Sequence, residues 1–410
     1  MTPVRTTDRP APPSERPSGS APGTSARRTW QRAPGSQQAL GLRNLDLVVD
    51  SLLAAGPATQ AALARATGLS NATVSNVVSR LKREGRVRTA CTASAGRRAV
   101  LVQLHDTALA GFELTTDSLH AVLLRPGGTV LARSSTPIPC LESVTALTET
   151  ITRTLTIILD RSEVQAKDLA GAGVALPGIM GPGPGWMPGS LASLRCSEAG
   201  IQSAVEKSLS VPVAVAGSST MAAFAHSRRP HATDGALMFL NVDSDVTAGF
   251  VIGDEPYSGH AGLAGQIGHV RISDYGLPCR CGNRDCLDTV GSVPAILAAY
   301  AAGHPPVTTD GFLAKARAGD PAALRIIEDA AEALGLAAAG AASIINPRQI
   351  ILGGPLCALG PVLLHPFRRS LVRAAGPGLG DAAEIRLNTL GRDVAAPGAA
   401  YSAARRTPES

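Results

Sequence analysis

One histidine and three cysteines within His269–Cys286 restrict this chain more than any other stretch. The segment reads H-V-R-I-S-D-Y-G-L-P-C-R-C-G-N-R-D-C, so His269 is followed ten residues on by Cys279-x-Cys281 and then by Cys286. Three soft thiolates and one imidazole fill a tetrahedral shell, the donor set that suits zinc in a closed, structural site. Gly276, Pro278 and Gly282 supply the tight turns that a small metal knuckle needs. The other four of the seven cysteines, Cys91, Cys140, Cys196 and Cys357, are dispersed. Chance clustering and a redox pair are the competing explanations. The spacing is not that of a zinc finger and by itself implies no contact with nucleic acid.

At 410 residues the chain is long enough for two or three domains. Its odd cysteine count, without a framework pattern, points to a reducing compartment. The amino terminus runs into proline and serine with no apolar h-region, and no stretch is long and apolar enough to span a membrane. A cytoplasmic location with no membrane partner is therefore expected. Charge is unevenly spread. Residues 1–106 carry fifteen Lys/Arg against six Asp/Glu, whereas residues 107–410 carry twenty-three against twenty-six. A basic front of +9 on a body of −3 suggests a nucleic-acid module, although arginine that merely solubilises a tail gives the same balance.

Residues 1–38, rich in Pro, Ser, Arg, Gly and Thr, bury too little apolar surface to fold and are expected to form a disordered basic tail. Residues 40–105 are expected to form a winged helix-turn-helix. Leu42, Leu45, Val48, Val49, Leu52 and Leu53 recur at helical spacing up to Gly56-Pro57. Thr59 then caps a short helix to Thr67, Gly68 turns the chain, and Ser70 caps a helix from Asn71 to Arg83 with Val74, Val77, Val78 and Leu81 inward. The outward face offers Asn76 and Arg80 for base edges, and Asn71, Thr73 and Ser75 for phosphate or sugar. Lys82, Arg83, Arg86 and Arg88 would flank the groove. Val87–Thr89 and Ala99–Leu104 pair as a wing whose tip, with Arg97 and Arg98, suits phosphates or the minor groove. A protein-binding helical module is the alternative.

From residue 108 the period changes. Strands are expected at 109–115, 119–124, 130–134, 169–176, 213–216, 235–242, 247–252 and 349–352. Helices are expected at 141–159, 219–226, 293–302, 311–318, 321–345, 361–375 and 395–404. This is an α/β body, with lobe one at about 108–230 plus the closing helix and lobe two at about 231–392. Gly353-Gly354 after a buried strand fits close approach to a ligand or plain packing equally well.

The motifs G-H-A-G-L-A-G-Q-I-G-H-V (259–270) and C-R-C-G-N-R-D-C-L-D (279–288), with G-A-G-V-A-L-P-G (171–178) and I-N-P-R-Q-I-I-L-G-G (345–354), resemble the ROK family, which joins sugar kinases and their repressor relatives. The resemblance covers nearly everything from residue 40 onward. It implies a two-lobed actin-like, sugar-kinase (ribonuclease H-like) fold behind the winged helix-turn-helix. It also implies structural zinc on His269, Cys279, Cys281 and Cys286, with His269 near the sugar. Where family kinases carry a glycine-rich phosphate loop, this chain has F-E-L-T-T-D-S (112–118), with Glu113 and no glycine. Where they carry a sugar-contacting asparagine and the catalytic aspartate, it has Gly217-Ser218. A serine hydroxyl is too weakly basic to take a proton from a sugar hydroxyl. The second phosphate loop reads Asp243-Ser244-Asp245, whose carboxylates oppose a phosphate.

The expectation is a transcriptional regulator, a repressor, whose kinase-like body has lost its catalysis. Its partners would be a double-stranded DNA operator and a second copy, as homodimer or homotetramer. Gln266, His269 and Asp288 are the candidate contacts for a sugar or other small effector; a site without an effector stays open. A sugar kinase with a DNA-binding extension and a protein-interaction scaffold are the rival readings.

Overall fold

A computed structural model of the chain describes residues 37–404 except 84, 95–96, 106, 139–142, 179–196, 230–234, 274–275, 377 and 379–381. The tail up to residue 36, the wing tip Ala95-Gly96 and the Gly/Pro-rich loop beyond Gly178 fall outside the described residues, as do the side chains of Arg97 and Arg98.

The amino-terminal unit folds from α1 (Gln37–Ala55), β1 (Ala58–Thr59), α2 (Gln60–Thr67), α3 (Asn71–Arg83), β2 (Val87–Ser94) and β3 (Arg97–Leu104), with strand order β1-β3-β2. Helix α1 starts five residues before Leu42, the expected start, because Gln37 to Leu40 are good helix formers with no breaker among them; Gln37 and Gln38 thus belong to the helix and not to the tail. Gly56, at φ 76°, ends it. The Thr59 hydroxyl accepts from Ala62 N–H at 3.2 Å, and the Ser70 hydroxyl from Thr73 N–H at 3.1 Å, so both expected caps are in place. Leu45, Val48, Leu52, Leu63, Val74, Val78 and Leu81 close the small core, sealed by Val87 and Val102 of the wing.

The body contains two sheets of the same topology. Lobe one comprises β4 (Ala108–Leu114), β5 (Ser118–Leu124), β6 (Val130–Pro137), α4 (Val144–Asp160), β7 (Leu169–Leu176), α5 (Glu198–Leu209), β8 (Val213–Gly217) and α6 (Ser218–Ser227), with strand order β6-β5-β4-β7-β8. Lobe two comprises β9 (Leu237–Val242), β10 (Val246–Ile252), β11 (Glu255–Tyr257), α7 (Asp288–Gly291), α8 (Val293–Ala301), α9 (Thr309–Arg317), α10 (Pro321–Ile345), β12 (Gln349–Gly353), α11 (Pro361–Ala374) and β13 (Glu384–Leu387), ordered β11-β10-β9-β12-β13. In each lobe an antiparallel meander of three strands is extended by two parallel ones, the duplicated pattern of the actin-like fold.

The closing helix α12 (Ala395–Ala403) lies on lobe one. It can approach β4 and β7 only because Gly111 and Gly173 face it: a Cβ at either would collide with the Ala396 or Ala399 carbonyl. Helix α6, buried from Ser219 to His226, packs between α12 and the sheet of lobe two. Gly353 and Gly354 are explained by packing. A Cβ would strike the Phe239 ring at Gly353 and the Val242 carbonyl at Gly354.

Candidate functional site

The knuckle is built by backbone bonds before any metal is considered. Cys279 N–H donates to the Asn283 carbonyl at 2.7 Å, Gly282 N–H to the Cys279 carbonyl at 3.0 Å, and Asp285 N–H to the Leu277 carbonyl at 3.1 Å. Gly282, at φ 93°, makes the turn between the second and third cysteines. The buried Asp285 carboxylate accepts from Gly276 N–H and from the Ser273 hydroxyl, pinning the loop from inside. One ligand atom from each of His269, Cys279, Cys281 and Cys286 lies within 4.8 Å of the others. His269 Nδ1 is 3.8 Å from Cys279 Sγ, and Cys281 Sγ is 3.7 Å from Cys286 Sγ. Ligand bonds of about 2.0–2.3 Å in a tetrahedron put donor atoms at about these separations. Burial and the two neighbouring thiols push the Cys286 thiol up to about 12, whereas the Asn283 N–H draws the Cys281 thiol below its usual value. Thiolate charge gathered this closely is what a bound dication would offset, and the four donor atoms converge on one point. The group can therefore hold a metal.

Beside it, Asp288 opens α7. Its Oδ1 accepts from Val246 N–H at 2.8 Å, anchoring β10, and its Oδ2 lies 4.0 Å from His269 Nδ1 and 3.7 Å from Arg280 Nη2. Burial raises its carboxyl above the usual range. Arg280, the residue between the first two cysteines, also reaches Asp245 at 3.4 Å. Sequence reasoning missed it. The signal was available, since the middle residue of Cys-x-Cys must project away from the metal. The pair answers half of the charge expected on the Asp243–Asp245 turn, while burial and Asp245 raise the Asp243 carboxyl. Gln266 is half-buried and directly precedes the short turn that carries His269.

Across the lobe junction, Ser218 is the first residue of α6, and its Oγ is buried with no hydrogen-bond partner among the described residues. The next hydroxyl, Ser219, bonds Thr247 of β10 at 2.6 Å and ties the lobes together. Glu113, 7% exposed, turns to the start of α12. Its Oε2 accepts from Ala395 N–H at 2.9 Å and Ala396 N–H at 3.3 Å. Burial, helped by Asp393 and Asp243, lifts this carboxyl to about 8. The residue standing at the family's phosphate loop therefore serves here as a helix cap.

On the reader, Asn71 and Asn76 are exposed, and Thr73, Ser75 and Arg80 are half-buried on the same helix. Thr73 also shares its hydroxyl with Ser70 at 2.8 Å, within the cap. Arg86 does not flank a groove as expected. Its guanidinium donates to the Ala404 carbonyl of the body at 2.6 Å.

Two duplicated lobes, a His/Cys3 knuckle in the second and a winged helix ahead of them define a sugar-kinase-like body with an added reader. The ROK family model matches residues 110–406, and the chain belongs to that family. Residues 42–102 match a domain of unknown function (DUF7343). Among curated proteins, the chain is 26% identical to a glucokinase of Halalkalibacterium halodurans over 73% of its own length and 95% of the relative's. It is 23% identical to the xylose repressor of Bacillus spizizenii over 87% and 93%. A solved ROK family transcriptional regulator, described as a homologue of the E. coli MLC protein, superposes with a TM-score of 0.72 at 22% identity, covering 88% of this chain and 96% of that one. Among the described residues no helix is long and apolar enough to cross a membrane.

Proposed function

We propose that this chain is a DNA-binding transcriptional repressor whose kinase-like body no longer phosphorylates sugar. The observation that carries the reading is the extent of the repressor match. It runs over 87% of the chain, reader and body together, whereas the glucokinase match takes in 73%. The reader spans residues 40–105 and the body 108–410. Asn76 and Arg80 read base edges, with Asn71, Thr73, Ser75, Arg97 and Arg98 on the backbone. A homodimer or homotetramer presents paired readers to a two-half-site operator, and a sugar or related polar molecule near Gln266, His269 and Asp288 shifts the equilibrium away from the DNA-binding arrangement. The metal is zinc, held by His269, Cys279, Cys281 and Cys286. It stiffens the wall that carries His269 and Asp288, and its closed donor set keeps no position for substrate.

The direct test is a gel shift of the full-length protein on duplexes recovered from its own upstream region. Specific binding is expected to weaken steeply with salt, and Arg80→Ala to lower affinity about 10- to 100-fold, on the order of 1–3 kcal/mol. A folded, metal-loaded protein that gives no salt-sensitive specific band would sink the reading. The same preparation is expected to show no hexose-dependent ATP turnover, because Ser218 is no general base and Glu113 is committed to α12. Turnover in a coupled assay would favour the kinase reading that the glucokinase relative raises.

A further inference from the structure

Two helices leave the lobe junction side by side and end at the reader. Helix α6 begins at Ser218 and is fastened to lobe two through Ser219 and Thr247. All ten of its residues are buried or half-buried, and it ends where Arg228 caps the last turn, donating its backbone N–H to the Phe224 and His226 carbonyls. The Arg228 guanidinium lies 4.7 Å above the Phe224 ring and forms a 2.7 Å ion pair with Asp50 of α1. The two side chains are only 16% and 28% exposed, so water screens the pair less than a surface bridge. Helix α12 begins under Glu113 and is followed by its capping residue Ala404, whose carbonyl accepts from Arg86. Arg86 itself closes the recognition helix, since its N–H donates to the Leu81 carbonyl at 2.8 Å and its carbonyl accepts from His105. The two helices touch backbone to backbone: a Cβ at Gly398 of α12 would collide with the Met221 carbonyl of α6. Such a pair moves as one body.

We infer that Arg228 and Arg86 are positioning residues for the DNA reader, latching α1 and the end of the recognition helix to a rigid α6–α12 strut rooted between the lobes. A winged helix on a loose tether would sample many orientations, and a paired site on DNA would then be met at a lower effective concentration. Latched at two points, through α1 and through the end of the recognition helix, it is held at one setting. Any ligand that changes the Ser219–Thr247 junction moves both latches together, which gives the lobes a mechanical route to the reader. The inference rests on the regulator reading above for its purpose, but its geometry can be tested without DNA.

Fluorophores attached through non-natural residues at Ser79 and Thr156, both exposed, report the distance between reader and lobe one in the full-length, metal-loaded protein. The wild type is expected to give one narrow population. Arg86→Ala combined with Arg228→Ala should broaden or split it, without changing metal content or the melting of the body. The exchanged pair Asp50→Arg with Arg228→Asp, with Arg86 intact, should narrow it again. A double variant with the wild-type distribution would overturn the latch. On a duplex that the wild type selects from a random pool, the double variant is expected to bind about 10-fold more weakly, as lost effective concentration predicts. The exchanged pair should recover most of that. A reader that loosens with no loss of affinity would overturn the positioning role. A wild type that selects no duplex would instead overturn the regulator reading, with the distance measurement still deciding the latch.

Discussion

Replacing Cys281 by serine is expected to strip the metal from the knuckle and lower the melting temperature of the full-length protein by about 10 °C, several kcal/mol in a body of this size. The reasoning starts from ionisation. A serine hydroxyl does not deprotonate near neutral pH and cannot replace a thiolate donor. Without the cation, Cys279 and Cys286 remain buried, burial holds the Cys286 thiol well above its usual value, and His269 loses the contact that fixes its ring. Among the described residues the loop is otherwise held by backbone bonds, by Asp285 and by the exposed Arg280 side chain, so the loss spreads to Asp288 and the start of β10. A chelator should reproduce the effect in the wild type, with added zinc restoring it there and not in the variant. Elemental analysis is the check: a serine variant that keeps one zinc per chain would remove the assignment.

Much of this was legible in the sequence because it is local. The Thr59 and Ser70 caps, the strand Leu169–Leu176 and the helix Pro321–Ile345 each announce themselves through a cap, a turn residue or an apolar run, and the structure returns the last two with the expected bounds. The cysteine spacing did the same for the metal cluster. What went unread depends on partners far along the chain. Helix α5 buries only Ile201 and Val205, too few apolar positions to declare a period. Strand β13 carries Glu384 and Arg386 and exists through parallel pairing with β12, which no local pattern encodes. Arg228 and Asp50 are 178 residues apart, and Glu113 and Ala395 are 282 apart. Read singly, Arg228, Asp50 and Glu113 look like ordinary surface charge, and nothing near them in the sequence names their partners. The sequence could show that Glu113 stands where a phosphate loop had no glycine. It could not show that the carboxyl had found a helix to cap.

That cap leads to the second large effect. Glu113→Ala is expected to destabilise the body by about 2–4 kcal/mol, since it leaves two buried N–H groups at the start of α12 unpaired and opens a cavity beneath them. Glu113→Gln should behave differently, and pH separates the two causes. Two N–H donors at a helix start favour the ionised carboxylate, but burial, Asp393 and Asp243 favour the neutral acid, and burial is the largest influence, placing the group at about 8. A carboxyl raised in the folded state from an unfolded value near 4.5 takes up a proton on folding. Its contribution is then fully present below about pH 4.5 and is lost as pH rises through about 8. The glutamine amide keeps an acceptor oxygen toward Ala395 and Ala396 and has no proton to lose. Glu113→Gln should therefore match the wild type near pH 5 and exceed it at pH 9, with a flatter profile between. Denaturant melts of the two proteins at pH 5, 7 and 9 decide the point. If the glutamine variant is the weaker one at pH 9, the ionised carboxylate is favoured in the folded chain, so its bonds to α12, not its burial, govern the group.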